Sequence, residues 1–130
     1  KRDPVTNVVS ILEARKRQLG SEKEWYSFKI PEYPQLEHLD PIAQCAGQLH
    51  YINSAVTKGM ECVNESRKMV IQYEEFCQNP LNVHDELLMR LDIHAKSYEY
   101  RGVERFIVSR SKDVLNRKKI EKALSNFLAS

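Results

Sequence analysis

The sequence predicts an α/β domain that is mostly helical, and three observations lead there. Asp3-Pro4 and Asp40-Pro41 each open a stretch of apolar residues at helical spacing. Lys68 to Tyr73 (K-M-V-I-Q-Y) is a short apolar run with the composition of a buried strand. The chain also enters its first helical pattern straight after Lys1-Arg2, with no strand before it. One strand cannot make a sheet. The remaining strands are therefore expected upstream of Lys1 or in a partner, and residues 1–130 are expected to form a single partial domain.

The first helix follows from its ends. Asp3 has the side chain to cap free amide groups, and Pro4 suits the first helical position. Val5, Val9, Leu12 and Leu19 fall on one face, with Val8 and Ile11 beside them. Glu13, Arg15, Lys16 and Arg17 are expected largely on the other side, and Gly20 closes the helix as a left-handed cap. Residues 21–39 hold Trp25, Tyr26, Phe28, Pro31, Tyr33 and Pro34 and are expected to form a long ordered loop with a short helical turn.

Asp40-Pro41 then starts a long helix with Ile42, Ala46, Leu49, Asn53, Val56 and Met60 at helical spacing, broken by Asn64-Glu65-Ser66. After the expected strand comes one helical turn at Glu74-Glu75-Phe76-Cys77. A helix is expected from about Pro80 to His94, with Val83, Leu87 and Leu91 inward. R-F-I-V-S near residue 107 suits a short strand. Asn116 is the expected cap of a last helix with Ile120, Leu124 and Phe127 inside.

Composition narrows the function classes. The chain is 42% apolar and 29% charged, so disorder is excluded, and a net charge of +2 gives no case for nucleic acid. Arg101, Arg105, Arg110, Lys112, Arg117, Lys118, Lys119 and Lys122 make the tail basic, either as a solvated helix face or as an anion-binding surface. Cys45, Cys62 and Cys77 are odd in number and form no C-x-x-C pair. They are expected to be free, buried thiols of a reducing compartment, the cytoplasm. The four histidines show no ligand-type spacing with them, so no metal is expected, and no run is long enough to span a bilayer.

Two motifs point to a chemistry. Arg2-Asp3-Pro4 stands at the mouth of a helix, with Ser10 two turns further on. A guanidinium offers phosphate a planar fork of donors, a serine hydroxyl adds a neutral one, and a helix N-terminus favours an anion. Met69-Val70-Ile71-Gln72-Tyr73-Glu74-Glu75-Phe76, followed by Asn79-Pro80, is the second.

In order and spacing these segments resemble the sulfotransferases that use 3′-phosphoadenosine-5′-phosphosulfate (PAPS). The first is similar to that family's 3′-phosphate-binding segment, and the second to its strand ending in Tyr-Glu-Asp-Leu, with Glu75-Phe76 in place of Asp-Leu. Trp25 and Gln44-x-x-x-Gln48 fit the intervening loop and helix, so the likeness covers residues 1 to about 95. It implies the C-terminal, mostly helical half of a P-loop-like parallel-sheet domain. Arg2 and Ser10 are then expected on the 3′-phosphate of PAPS, and Tyr73 beside its adenine. Arg110 and Lys112 are expected in a closing basic loop hinged at Gly102. Trp25, Tyr26 and Phe28 are expected to face a small-molecule or carbohydrate acceptor.

The family's 5′-phosphosulfate loop has no counterpart here, and the catalytic base commonly precedes the Arg-Asp-Pro segment. Both are expected in an N-terminal half outside these residues, and this half alone is expected to be inactive. His50 is either a helix-surface histidine or a flank of the substrate cleft. Two other readings stay open: a non-enzymatic helical protein-interaction module, and a different P-loop transferase.

Overall fold

The computed structural model describes residues 1–93, 101–107 and 114–128. Among these the chain forms α1 (Pro4–Leu19), α2 (Tyr33–Leu36), α3 (Pro41–Glu61), α4 (Tyr73–Gln78), α5 (Pro80–Arg90) and α6 (Val114–Leu128). A 3-10 turn at Glu65–Arg67 follows α3. The backbone divides into two units: Asp3–Lys68 with Arg110–Ser130, and Lys1–Arg2 with Met69–Ser109.

The expected α/β class is overturned. No strand and no sheet occur among the described residues. Lys68 and Gln72 do have extended backbone, but 68–72 is not a buried strand, since Val70 is 59% exposed. A strand needs a neighbour along its length, but the backbone bonds of this stretch run at its ends to the turn at Glu65 and the helix at Phe76, with one bond from Lys1 to Ile71 between them. The described part of R-F-I-V-S is no strand either, and Ile107 is exposed.

The larger unit is built on α1, α3 and α6. Asp3 caps α1 by accepting from the Thr6 amide at 2.8 Å, and Gly20 ends it at φ 75° with its N–H on the Lys16 carbonyl. Asp40 caps α3 in the same way through the amides of Ile42 and Ala43. Val8, Cys45, Ala46 and Ile120 are fully buried at the centre, ringed by Val5, Val9, Leu12, Ile42 and Leu49. Leu124 and Phe127 pack on this cluster as expected. A buried aliphatic side chain of this kind contributes about 1.5–3 kcal/mol, so the cluster dominates the unit's stability.

Gly47 of α3 lets neighbours approach closely. A Cβ there would meet Leu36 Cδ2 at 2.6 Å and Phe127 Cζ at 2.8 Å. Burial pushes the Cys45 thiol up to about 12, with the Arg15 charge opposing the rise. Cys77 is buried too, but Cys62 is exposed, against expectation.

In the smaller unit α4 and α5 pack together, with Cys77, Pro80 and Val83 buried. The Phe106 amide donates to the Cys77 carbonyl at 2.8 Å, and the Phe76 and Phe106 rings stack at 5.4 Å. Leu87 and Leu91, expected inward, are 36% and 64% exposed. α5 ends at Arg90, short of His94, which lies outside the described residues. α6 begins before Asn116, so that residue is inside the helix and not its cap.

Candidate functional site

Arg2 and Tyr73 meet in the smaller unit, and backbone pairing explains why. The Lys1 backbone nitrogen, an ammonium here, donates to the Ile71 carbonyl, and the Tyr73 amide donates to the Lys1 carbonyl at 2.6 Å. This bracketing of one residue by two is the bond pattern of a parallel ladder, though it is a single repeat. It sets Lys1 opposite Gln72, and hence Arg2 opposite Tyr73. The Arg2 Cζ lies 4.6 Å from the ring centroid of Tyr73, the first residue of α4.

A guanidinium stacked on a ring engages its face and leaves its N–H groups pointing outward in the plane. Arg2 Nε is shielded from solvent and makes no hydrogen bond among the described residues. The Tyr73 phenol is held above its ordinary range, first by a hydrogen bond with Cys77 one turn on, while the Arg2 charge works the other way. The pair is thus an aromatic surface with a fixed cation against it.

The other expected nucleotide contacts are not part of this pair. Ser10 lies in α1 in the larger unit, half-buried, and its hydroxyl makes no hydrogen bond among the described residues. Arg110 and Lys112 lie outside the described residues. Gly102 is exposed.

The aromatic loop of the larger unit is tied down by three polar side chains. Arg15 is fully buried, contrary to the expected outward position. Its Nη1 donates to Gln44 Oε1 at 2.7 Å and to the Glu22 carbonyl at 3.3 Å, and its Cζ lies 5.1 Å from the Trp25 ring. Gln44 Nε2 donates to the carbonyls of Glu37 and Leu39, both at 3.0 Å. Gln48 Nε2 donates to the Tyr26 carbonyl at 3.2 Å. The Gln44-x-x-x-Gln48 spacing places both amides on one face of α3, which is why one helix can hold two parts of the loop.

The expected acceptor-facing residues separate into two kinds. Trp25 is half-buried, donates from Nε1 to the Phe28 carbonyl at 3.1 Å, and meets Tyr33 edge-on at 4.8 Å. Tyr26 is half-buried as well. Phe28 is 64% exposed beside Ser27, whose φ of 74° is left-handed and strained for a residue with a Cβ. A pocket of about 230 Å³ opens here, lined by Lys23, Glu24, Trp25, Lys29, Tyr33, Glu37 and Gln44.

Sequence reasoning missed Arg15, although the signal was present. Val5, Val8, Leu12 and Arg15 follow one another at three and four residues, so position 15 continues the apolar stripe. A charged residue in register with a buried face marks a buried polar contact.

His50 is half-buried against Phe127 and Tyr51. It lines a groove of about 490 Å³ with Pro4, Leu49, Asn53, Thr57 and Leu124. No group of three or more His, Cys, Asp or Glu suited to a metal occurs among the described residues. No described helix is long and apolar enough to cross a membrane. No family model, no curated protein and no solved structure matches this chain.

Proposed function

We propose that this chain supplies the nucleotide-holding part of a PAPS-dependent sulfotransferase. The observation that carries the reading is the Arg2 guanidinium stacked on Tyr73 with its Nε unpartnered among the described residues. The stacked ring fixes the cation's orientation before any ligand arrives, so less entropy is lost when phosphate oxygens take its N–H groups. Tyr73 gives the adenine an aromatic neighbour. Ser10 carries the second donor that the sequence resemblance assigns to the 3′-phosphate.

In the reaction the acceptor's oxygen or nitrogen attacks sulfur, the bond from sulfur to the bridging phosphate oxygen breaks, and 3′,5′-diphosphoadenosine leaves. The residues of this chain bind and orient the nucleotide. None of them is assigned the proton transfer.

A thermal-shift titration with 3′,5′-diphosphoadenosine tests this. At ten times its Kd the nucleotide should stabilise the protein by about 1.4 kcal/mol through mass action. Arg2→Ala should remove most of the shift, Ser10→Ala part of it, and 5′-AMP should give little. Equal shifts from the two nucleotides would remove the 3′-phosphate from the reading. No shift with either would favour the non-enzymatic interaction module.

A further inference from the structure

We infer that residues 21–29 form a strap that opens as a unit between Gly20 and Ile30, and that its opening controls access to the Arg15 guanidinium. Both ends of the strap are firm. Gly20 closes α1 at φ 75° with its N–H on the Lys16 carbonyl. Ile30 is 5% exposed and Leu36 beyond it 1% exposed, so apolar burial holds the chain there. Between those ends no side chain is buried, and Trp25 and Tyr26 are half-buried. The strap therefore depends on polar tethers.

Those tethers are the longest bonds of the network. Arg15 Nη1 reaches the Glu22 carbonyl at 3.3 Å, and Gln48 Nε2 reaches the Tyr26 carbonyl at 3.2 Å. Both stand at or past the far edge of the usual N–H···O range of roughly 2.7–3.2 Å. The bonds that do not touch the strap are shorter: Arg15 to Gln44 at 2.7 Å, and Gln44 to the carbonyls of Glu37 and Leu39, both at 3.0 Å. Gln44 of α3 thus fixes residues 37–39 more tightly than Arg15 and Gln48 fix residues 22–26. The Trp25 Nε1 bond to the Phe28 carbonyl lies within the strap and travels with it.

Closure also carries costs that opening relieves. Arg15 is fully buried, yet its Nε and Nη2 have no hydrogen-bond partner among the described residues, and neither has the buried Oε1 of Gln48. Buried donors and acceptors left unmatched oppose closure, and a buried charge does so most. Ser27 is held at φ 74°, a strained value for a residue with a Cβ that a free strap would release. The Arg15 Cζ lies 5.1 Å from the Trp25 ring centroid, and this attraction offsets part of the cost. The closed strap is the resting form by a narrow margin. It opens well before the three-helix cluster does, with Gly20 as the pivot.

Labelling of the protein with phenylglyoxal, followed by mass spectrometry of the peptide that holds Arg15, reads this opening. Hydrogen exchange of the slowest amides of α1 and α3 reads the opening of the helix cluster. Relative to rates in the unfolded chain, Arg15 should be protected at least about tenfold less than those amides. Trp25→Leu removes the ring against Arg15 and should speed the labelling several-fold. Ser27→Gly relieves the left-handed strain and should slow it several-fold. Neither variant should change the slow exchange of α3.

Equal protection of Arg15 and the slowest amides would mean that the guanidinium is reached only by unfolding, and would overturn the strap. Labelling at the unfolded rate would overturn it as well, because Arg15 would then have no cover. If both variants moved labelling and α3 exchange in step, residues 21–29 would belong to the cluster and no separate opening would exist. Unchanged labelling in both would mean that this strap is not what gates Arg15.

Discussion

The two units of this chain are held together by different means. In Asp3–Lys68 with Arg110–Ser130, helices of 16, 21 and 15 residues bring repeated apolar stripes to one cluster, and Val8, Cys45, Ala46 and Ile120 reach full burial. In Lys1–Arg2 with Met69–Ser109, the described helices have 6 and 11 residues, and burial centres on Cys77, Pro80 and Val83. There the backbone bonds of Lys1 and Phe106, together with two ring contacts, do much of the fixing. A long helix can repeat an apolar stripe over several turns, so its burial grows with length. A short one has to borrow order from specific bonds. The aromatic loop around Trp25 sits in the first kind of structure and the Arg2–Tyr73 pair in the second. Variants should therefore act very differently in the two.

The sharpest contrast is at Ile120. It is completely buried in the three-helix cluster. Ile120→Ala should cost about 3 kcal/mol, by loss of transfer free energy and by the cavity left behind. Urea unfolding followed by circular dichroism measures this as a lower midpoint at unchanged slope. A cost below about 1 kcal/mol would mean that the cluster is loosely packed, and the contrast would collapse.

Gly47→Ala comes next. Alanine is favoured over glycine in a helix by about 1 kcal/mol, so a free position would be stabilised by the change. Here the added carbon would lie 2.6 Å from Leu36 and 2.8 Å from Phe127, and Leu36 is 1% exposed with nowhere to retreat. The net result should be a loss of about 1–2 kcal/mol, as overpacking prevails over propensity. Gly59 supplies the control. It is in the same helix with no atom near its missing Cβ, and Gly59→Ala should stabilise. Opposite signs at the two glycines are the expected outcome. Stabilisation at both would show that α2 and α6 do not close on α3 in solution.

How much of this was legible in the sequence follows the same division. The caps at Asp3 and Asp40, the close at Gly20 and the inner stripe of α6 all rest on local chemistry, and the structure has them where the residues imply. Residues 68–72 are the opposite case. Their composition suits a strand, but pairing is a non-local property that the run cannot supply for itself. α5 fails for a related reason. Val83 turns inward as its spacing implies, yet Leu87 and Leu91 do not, because periodicity tells which residues share a face and not whether anything covers it. In the candidate sites, Arg2 and Tyr73 were named from their motifs, but their stacking needed the register set by Lys1. Arg15 was assigned to the wrong side because its charge was given more weight than its position in the stripe.

The smallest expected effect tests the other half of the comparison. Met89 is 78% exposed at the end of α5, and Leu91 just beyond it is 64% exposed. An exposed apolar side chain gains nothing from the hydrophobic effect, so Met89→Gln and Leu91→Gln should each change stability by no more than about 0.5 kcal/mol. Val83→Ala, on the same helix but at a buried position, should cost about 1–2 kcal/mol. Native-state hydrogen exchange of the α4 and α5 amides reads this unit separately from the three-helix cluster. A pattern of near-zero, near-zero and a clear loss would establish that α5 is held by one side only. If Met89→Gln or Leu91→Gln instead cost as much as Val83→Ala, those side chains would be covered in solution, and the smaller unit would have a core as substantial, residue for residue, as the larger one.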